Sequence, residues 1–111
     1  MGDPARAIAA RLRYMGAGLL ALLNSYAFRI ARRDFPHLLV EDPRKAYEAV
    51  LAYTRGDRGK ARYILLNILV GLVGSPAEAE AALEALERGD PEPLKELLSR
   101  LGGMKKRSRL L

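Results

Sequence analysis

The run Tyr63-Ile64-Leu65-Leu66-Asn67-Ile68-Leu69-Val70-Gly71-Leu72-Val73-Gly74 limits the folds open to this chain more than any other stretch. It is apolar on every side of a helix, so a surface position leaves it no polar face for water. It falls short of the ~20 apolar residues that a spanning helix needs. A helix over Arg58–Val73, buried at the centre of a small bundle, meets both conditions. Its ends are marked. Asp57 is a natural N-cap, and Gly74 suits a C-terminal stop. Ser75-Pro76-Ala77-Glu78 then matches a capping box with proline at the first helical position.

The other segments are read in relation to that helix. From Pro4 to Arg33, Ile8, Leu12, Met15, Leu19, Leu22, Tyr26 and Ile30 recur at steps of three and four, which predicts one long amphipathic helix. Gly16 and Gly18 mark a kink or a close crossing within it. Phe35-Pro36 predicts a break, because the residue before proline avoids the α region. Asp34–Asp42 is then a connection, with Leu38-Leu39-Val40 tucked under the bundle. Asp42-Pro43 opens a helix to Thr54 whose buried face is Ala46, Tyr47, Val50, Leu51 and Thr54, closed by Gly56. Pro76–Arg88 buries Ala79, Ala82, Leu83 and Leu86. A last helix from Pro91 buries Leu94, Leu97, Leu98 and Leu101 and stops at Gly102-Gly103. No alternating β-branched run is present. The expectation is an all-α fold, a single small bundle of four to five helices with the helix around 60–73 central. Residues 1–103 form the helical domain, and residues 104–111 are a short, basic, flexible tail.

Composition narrows the chemistry. With 111 residues there is room for one domain, and the chain has no cysteine and a single histidine, His37. Thiolate nucleophiles, disulfides and Cys/His metal sites are excluded, and no catalytic triad is expected around one loop histidine. Every carboxylate sits at a cap, in a loop or on a polar helix face, not in an apolar pocket that would tune it for acid–base work. The expectation is therefore no enzyme, no metal, no cofactor and no small-molecule substrate. Absent cysteine and scarce amides (Asn24 and Asn67 are the only asparagines, and there is no glutamine) point to a thermophilic, intracellular, cytoplasmic protein. Arg11 and Arg13 before Met15–Leu23 imitate a signal peptide, but the helical period runs on past it into a basic segment. No transmembrane span is expected.

Charge carries the functional reading. The net charge is +6, and between Asp3 and Asp34 there is no acidic residue at all. Residues 75–101 are net acidic, with 7 carboxylates against 3 cations. Arg6, Arg13, Arg29 and Arg33 on the first helix, Arg58, Lys60 and Arg62 at the start of the central one, and Lys105, Lys106 and Arg107 in the tail are the candidate phosphate contacts. Tyr14, Phe28 and Tyr53 lie near arginines and are candidates for stacking on bases. The expectation is a small basic binding module contacting nucleic-acid phosphates, a nucleoprotein or an acidic protein. The alternative is a protein–protein interaction or self-assembly subunit with no nucleic-acid role. Asn24 and Asn67, with Leu19 and Tyr26, are candidates for fixing core register or a homodimer interface.

Overall fold

The computed structural model describes the backbone of residues 3–110 and the side chains of residues 3–101. All regular structure among them is helical: α1 (Pro4–Met15), α2 (Leu19–Ala31), α3 (Phe35–Glu41), α4 (Pro43–Tyr53), α5 (Arg58–Val73), α6 (Pro76–Glu87) and α7 (Glu92–Leu110). The all-α class holds. Seven described helices replace the expected four to five, for two local reasons.

The first is the Gly16-Ala17-Gly18 stretch, which is a full break and not a kink. Gly18 adopts φ 82°, a left-handed conformation that a side chain disfavours. The break resets the helical phase. α1 buries Ile8 and Leu12 as expected, but α2 buries Leu23 and Ala27 while Leu22 stays 49% exposed. One unbroken stripe from Ile8 to Ile30 therefore does not exist.

The second is Phe35–Glu41, expected as a connection and found as α3. Proline at the second helical position needs no intrahelical N–H partner, so Phe35-Pro36 starts a helix here instead of ending one. The preceding helix ends earlier, at Arg32 with φ 55°. Phe35, Pro36, Leu38 and Leu39 are all buried, and α3 packs against α1, α2, α4 and α7.

The remaining boundaries carry side-chain caps, those at Asp42, Asp57 and Ser75 as predicted. Asp3 accepts from the Ala5 N–H, Asp42 from Lys45, Asp57 from Lys60, Ser75 from Glu78 and Asp90 from Glu92. The box at Ser75 is only half formed, since the Glu78 carboxylate accepts from Arg100 on α7, 3.4 Å away. The helix stop expected at Gly102-Gly103 is not observed: the α7 backbone runs on to Leu110.

α5 packs against α1, α4, α6 and α7 but is not enclosed. Ala61, Leu65, Ile68 and Leu69 are buried, whereas Tyr63 is 69% exposed and Leu66, Asn67 and Val70 are half-buried. The expectation of burial all round is corrected here. Among the described residues, no helix covers the side of α5 that carries Tyr63.

Candidate nucleic-acid interface

The cations singled out in the sequence fall into three groups. Arg6 and Arg13 lie seven residues apart on α1, hence on one face; both are exposed, and neither has a carboxylate within ion-pair distance among the described residues. Arg29 is exposed and holds its guanidinium carbon 5.3 Å from the Tyr26 ring centroid. Arg58 and Lys60 are exposed in the first turn of α5.

Two others are spent on intramolecular pairs. Arg33 grips Glu41 with two bonds, Nε–Oε1 at 3.1 Å and Nη2–Oε2 at 2.7 Å. The hydrogen bond from Arg33 outweighs desolvation and holds the Glu41 carboxyl below its ordinary value. Arg62 reaches Glu87 at 2.5 Å and Glu84 at 3.6 Å on α6. The acidic face of α6 thus meets the basic helix of the same chain. Tyr47 stands nearby, its phenol pushed up by partial burial and by the charge of Glu87, against the pull of Arg58 and Arg62. Lys105, Lys106 and Arg107 lie outside the residues whose side chains are described.

The two asparagines behave differently. Asn24 on α2 accepts the Phe35 N–H through Oδ1 at 2.8 Å. It takes the capping role at the head of α3, because the Asp34 carboxylate is engaged by His37 Nδ1 at 2.9 Å. Asn67 turns its side chain back on its own helix, Nδ2 donating to the Tyr63 carbonyl at 2.8 Å. What joins Asn67 to another helix is its backbone carbonyl, which accepts from Arg11 Nε at 3.1 Å. Leu19 and Tyr26 are half-buried against the core.

Arg11 was not among the expected site residues. It lies flat against α5 over Gly71, where a Cβ would collide with the guanidinium, and its Cζ stands 5.3 Å from the Tyr14 ring centroid. Two signals pointed to it: Arg11 falls inside the apolar stripe, three residues after Ile8, and Gly71 interrupts α5 where no turn needs it.

Among the described residues, a groove with both charge and aromatic character runs between the end of α4 and the start of α5, lined by Tyr53, Thr54, Arg55, Lys60, Tyr63 and Ile64. No carboxylate is among the described residues that line it. Tyr53 is held from behind by an edge-to-face contact with Tyr26, with centroids 6.1 Å apart and planes at 71°. Thr54 fixes the turn through its hydroxyl, which lies 3.2 Å from the Leu51 carbonyl and 3.1 Å from that of Asp57. Arg55 follows at φ 58°, in the left-handed region, and Gly56 at φ 84°. The expected closing residue was Gly56, but the first left-handed position belongs to Arg55. Sequence reasoning gave Lys60 and flagged Tyr53, and missed Arg55 and Tyr63. Tyr63 was absorbed into the apolar run, and only the missing cover on that side of α5 exposes it.

A second surface is formed by α2. Leu22 and Phe28, 49% and 52% exposed, share its outer face with Ala21, Ser25, Arg29 and Arg32. Arg13 approaches it, lining a shallow hollow with Gly16, Gly18 and Ala21. Among the described residues no group of three or more His, Cys, Asp or Glu side chains converges as metal ligands would, and no helix is long and apolar enough to cross a membrane. Compared with known proteins, the chain matches no family model, no curated protein and no solved structure.

Proposed function

We propose that this protein is a non-enzymatic binding module for nucleic acid, engaging phosphates through exposed cations. The observation that carries the reading is the α4–α5 groove, in which Arg55 and Lys60 stand beside Tyr53 and Tyr63 with no carboxylate among the described lining residues. Arginine or lysine beside open aromatic faces is the combination that nucleic-acid grooves use. Arg6, Arg13, Arg29 and Arg58 add exposed positive charge. His37 is tied to Asp34, and no second histidine or thiol exists to support catalysis. Few amides and no cysteine suit a cytoplasmic, thermophilic setting. The test is titration of the protein into labelled DNA and RNA at about 50 mM salt, repeated at about 200 mM, where phosphate contacts weaken steeply. No binding to either polymer at the lower salt ends the proposal.

A second reading is a protein partner or a second copy on α2. Leu22 and Phe28, half-exposed on an acid-free helix, favour it. Light scattering across a dilution series checks self-association, and a strict monomer throughout counts against the second-copy form.

A further inference from the structure

We propose that the α4–α5 groove selects single-stranded over double-stranded nucleic acid, stacking an unpaired base on Tyr63 while Arg55 and Lys60 hold the flanking phosphates. This deepens the proposed function and rests on it.

Three observations carry the inference. Tyr63 is 69% exposed on a stretch of α5 whose backbone carries two extra side-chain bonds: the Asn67 amide donates to the Tyr63 carbonyl, and Arg11 on α1 donates to the Asn67 carbonyl one turn on. An aromatic ring left open to water on a helix offers a π-face to a base. Tyr53, across the same groove, is braced by Tyr26, and Tyr26 in turn lies against the Arg29 guanidinium. The aromatic wall is therefore backed and positioned before any ligand arrives.

The third observation is Arg55. The residue after the α4 cap is a position that glycine fills without strain, yet an arginine stands there at φ 58°. Glycine follows at once, so the turn does not lack a flexible residue. The left-handed backbone directs the Arg55 side chain into the groove lining beside Lys60. The start of α5 already holds the Asp57 carboxylate, which accepts from the Lys60 N–H at 3.0 Å. Arg55 and Lys60 are the cations that line the groove and supply the phosphate contacts of this proposal.

Selectivity follows from what each ligand can offer. In a duplex the bases are stacked on each other, and only phosphates reach the groove. In a single strand the base is free to leave its neighbours and add a stacking contact. The cations serve both forms, and Tyr63 serves one.

The experiment is fluorescence anisotropy with labelled oligonucleotides of about 12 nucleotides, a length within the usual range for such grooves. Single-stranded DNA, single-stranded RNA and duplex DNA form the three arms, at about 50 mM salt. The full chain is expected to bind at least one single-stranded form more tightly than duplex. Tyr63→Ala is expected to weaken single-strand binding by roughly 5- to 100-fold and to leave duplex affinity unchanged. Tyr63→Phe, which keeps the ring, is expected to retain most of the wild-type affinity. Arg55→Gly is expected to weaken every arm and flatten the salt dependence by about one ion, with no loss of thermal stability since the glycine relieves the backbone. Equal affinity for duplex and single strand, or an unaffected Tyr63→Ala variant, overturns the inference while leaving a duplex-binding module standing. Absence of binding in all arms overturns the proposed function and this inference with it.

Discussion

α3 and α5 exchange the roles their sequences suggest. α5 carries the most continuous apolar run in the chain, yet only Ala61, Leu65, Ile68 and Leu69 of its 16 residues are buried. α3 is a seven-residue segment containing a proline, a histidine and a glutamate, and Phe35, Pro36, Leu38 and Leu39 are all buried in it. The difference is one of surroundings. Both helices pack against four others, but α3 presents only seven residues to them and is clamped at both ends by polar contacts, Asn24 to the Phe35 N–H and Arg33 to Glu41. α5 has neighbours on its Leu65 side and, among the described residues, none covering Tyr63. Hydropathy measures what burial would yield, and packing decides where burial happens.

The sharpest way to break this comparison is Phe35→Ala against Tyr63→Ala. The first removes a fully buried ring and is expected to cost about 3–5 kcal/mol in denaturant unfolding. The second is expected to stay within about 0.5 kcal/mol of wild type, since the ring faces water. Comparable losses from the two would mean that α5 is covered on both sides.

Within α5, Leu65→Ala is expected to cost about 2–5 kcal/mol. Its neighbour Leu66, half-buried, is expected to cost about 1 kcal/mol on the same change. Thermal melts of the pair test whether the helix has one packed face; equal costs would say that it has two.

The asparagines sharpen the contrast further. Asn24→Ala orphans the N–H at the head of α3 and is expected to cost about 1–2 kcal/mol. Asn67→Ala loses only a bond to its own helix and is expected to fall within about 0.5 kcal/mol. If Asn67→Ala proves the costlier change, the register is set on α5 after all.

The smallest expected effect is pH dependence at the head of α3. Partial burial raises the Asp34 pKa, but the hydrogen bond and charge of His37, with backbone N–H groups, outweigh it and leave the carboxyl below its ordinary value. A carboxyl depressed in the folded state stabilises the protein above its unfolded pKa of about 3.9 and loses that contribution as pH falls through the lower folded value. His37→Ala is therefore expected to make the acid-side decline in melting temperature shallower below about pH 4. An unchanged pH profile would show that the Asp34–His37 contact adds nothing to the α3 clamp.

Local chemistry was legible in the sequence. Asp42, Asp57, Ser75 and Asp90 mark their helix starts because each places a side-chain oxygen before otherwise unpaired amides. The buried faces of α6 and α7 follow from their spacing, since each is one unbroken period. The candidate site was only partly legible: Lys60 stood out by charge and Tyr53 by its setting, but Arg33 and Arg62 could not be seen to meet Glu41, Glu84 and Glu87 across gaps of 8 to 25 residues. Periodicity also carries no memory across a break, so a rotation at Gly18 moved Leu22 outward and Leu23 inward. By itself the sequence determined an all-helical chain, its caps and its excess of positive charge, because those depend on a residue and its near neighbours. The tertiary structure alone decided that Phe35 is the plug and Tyr63 the open ring, because burial depends on which helices are left to cover which face.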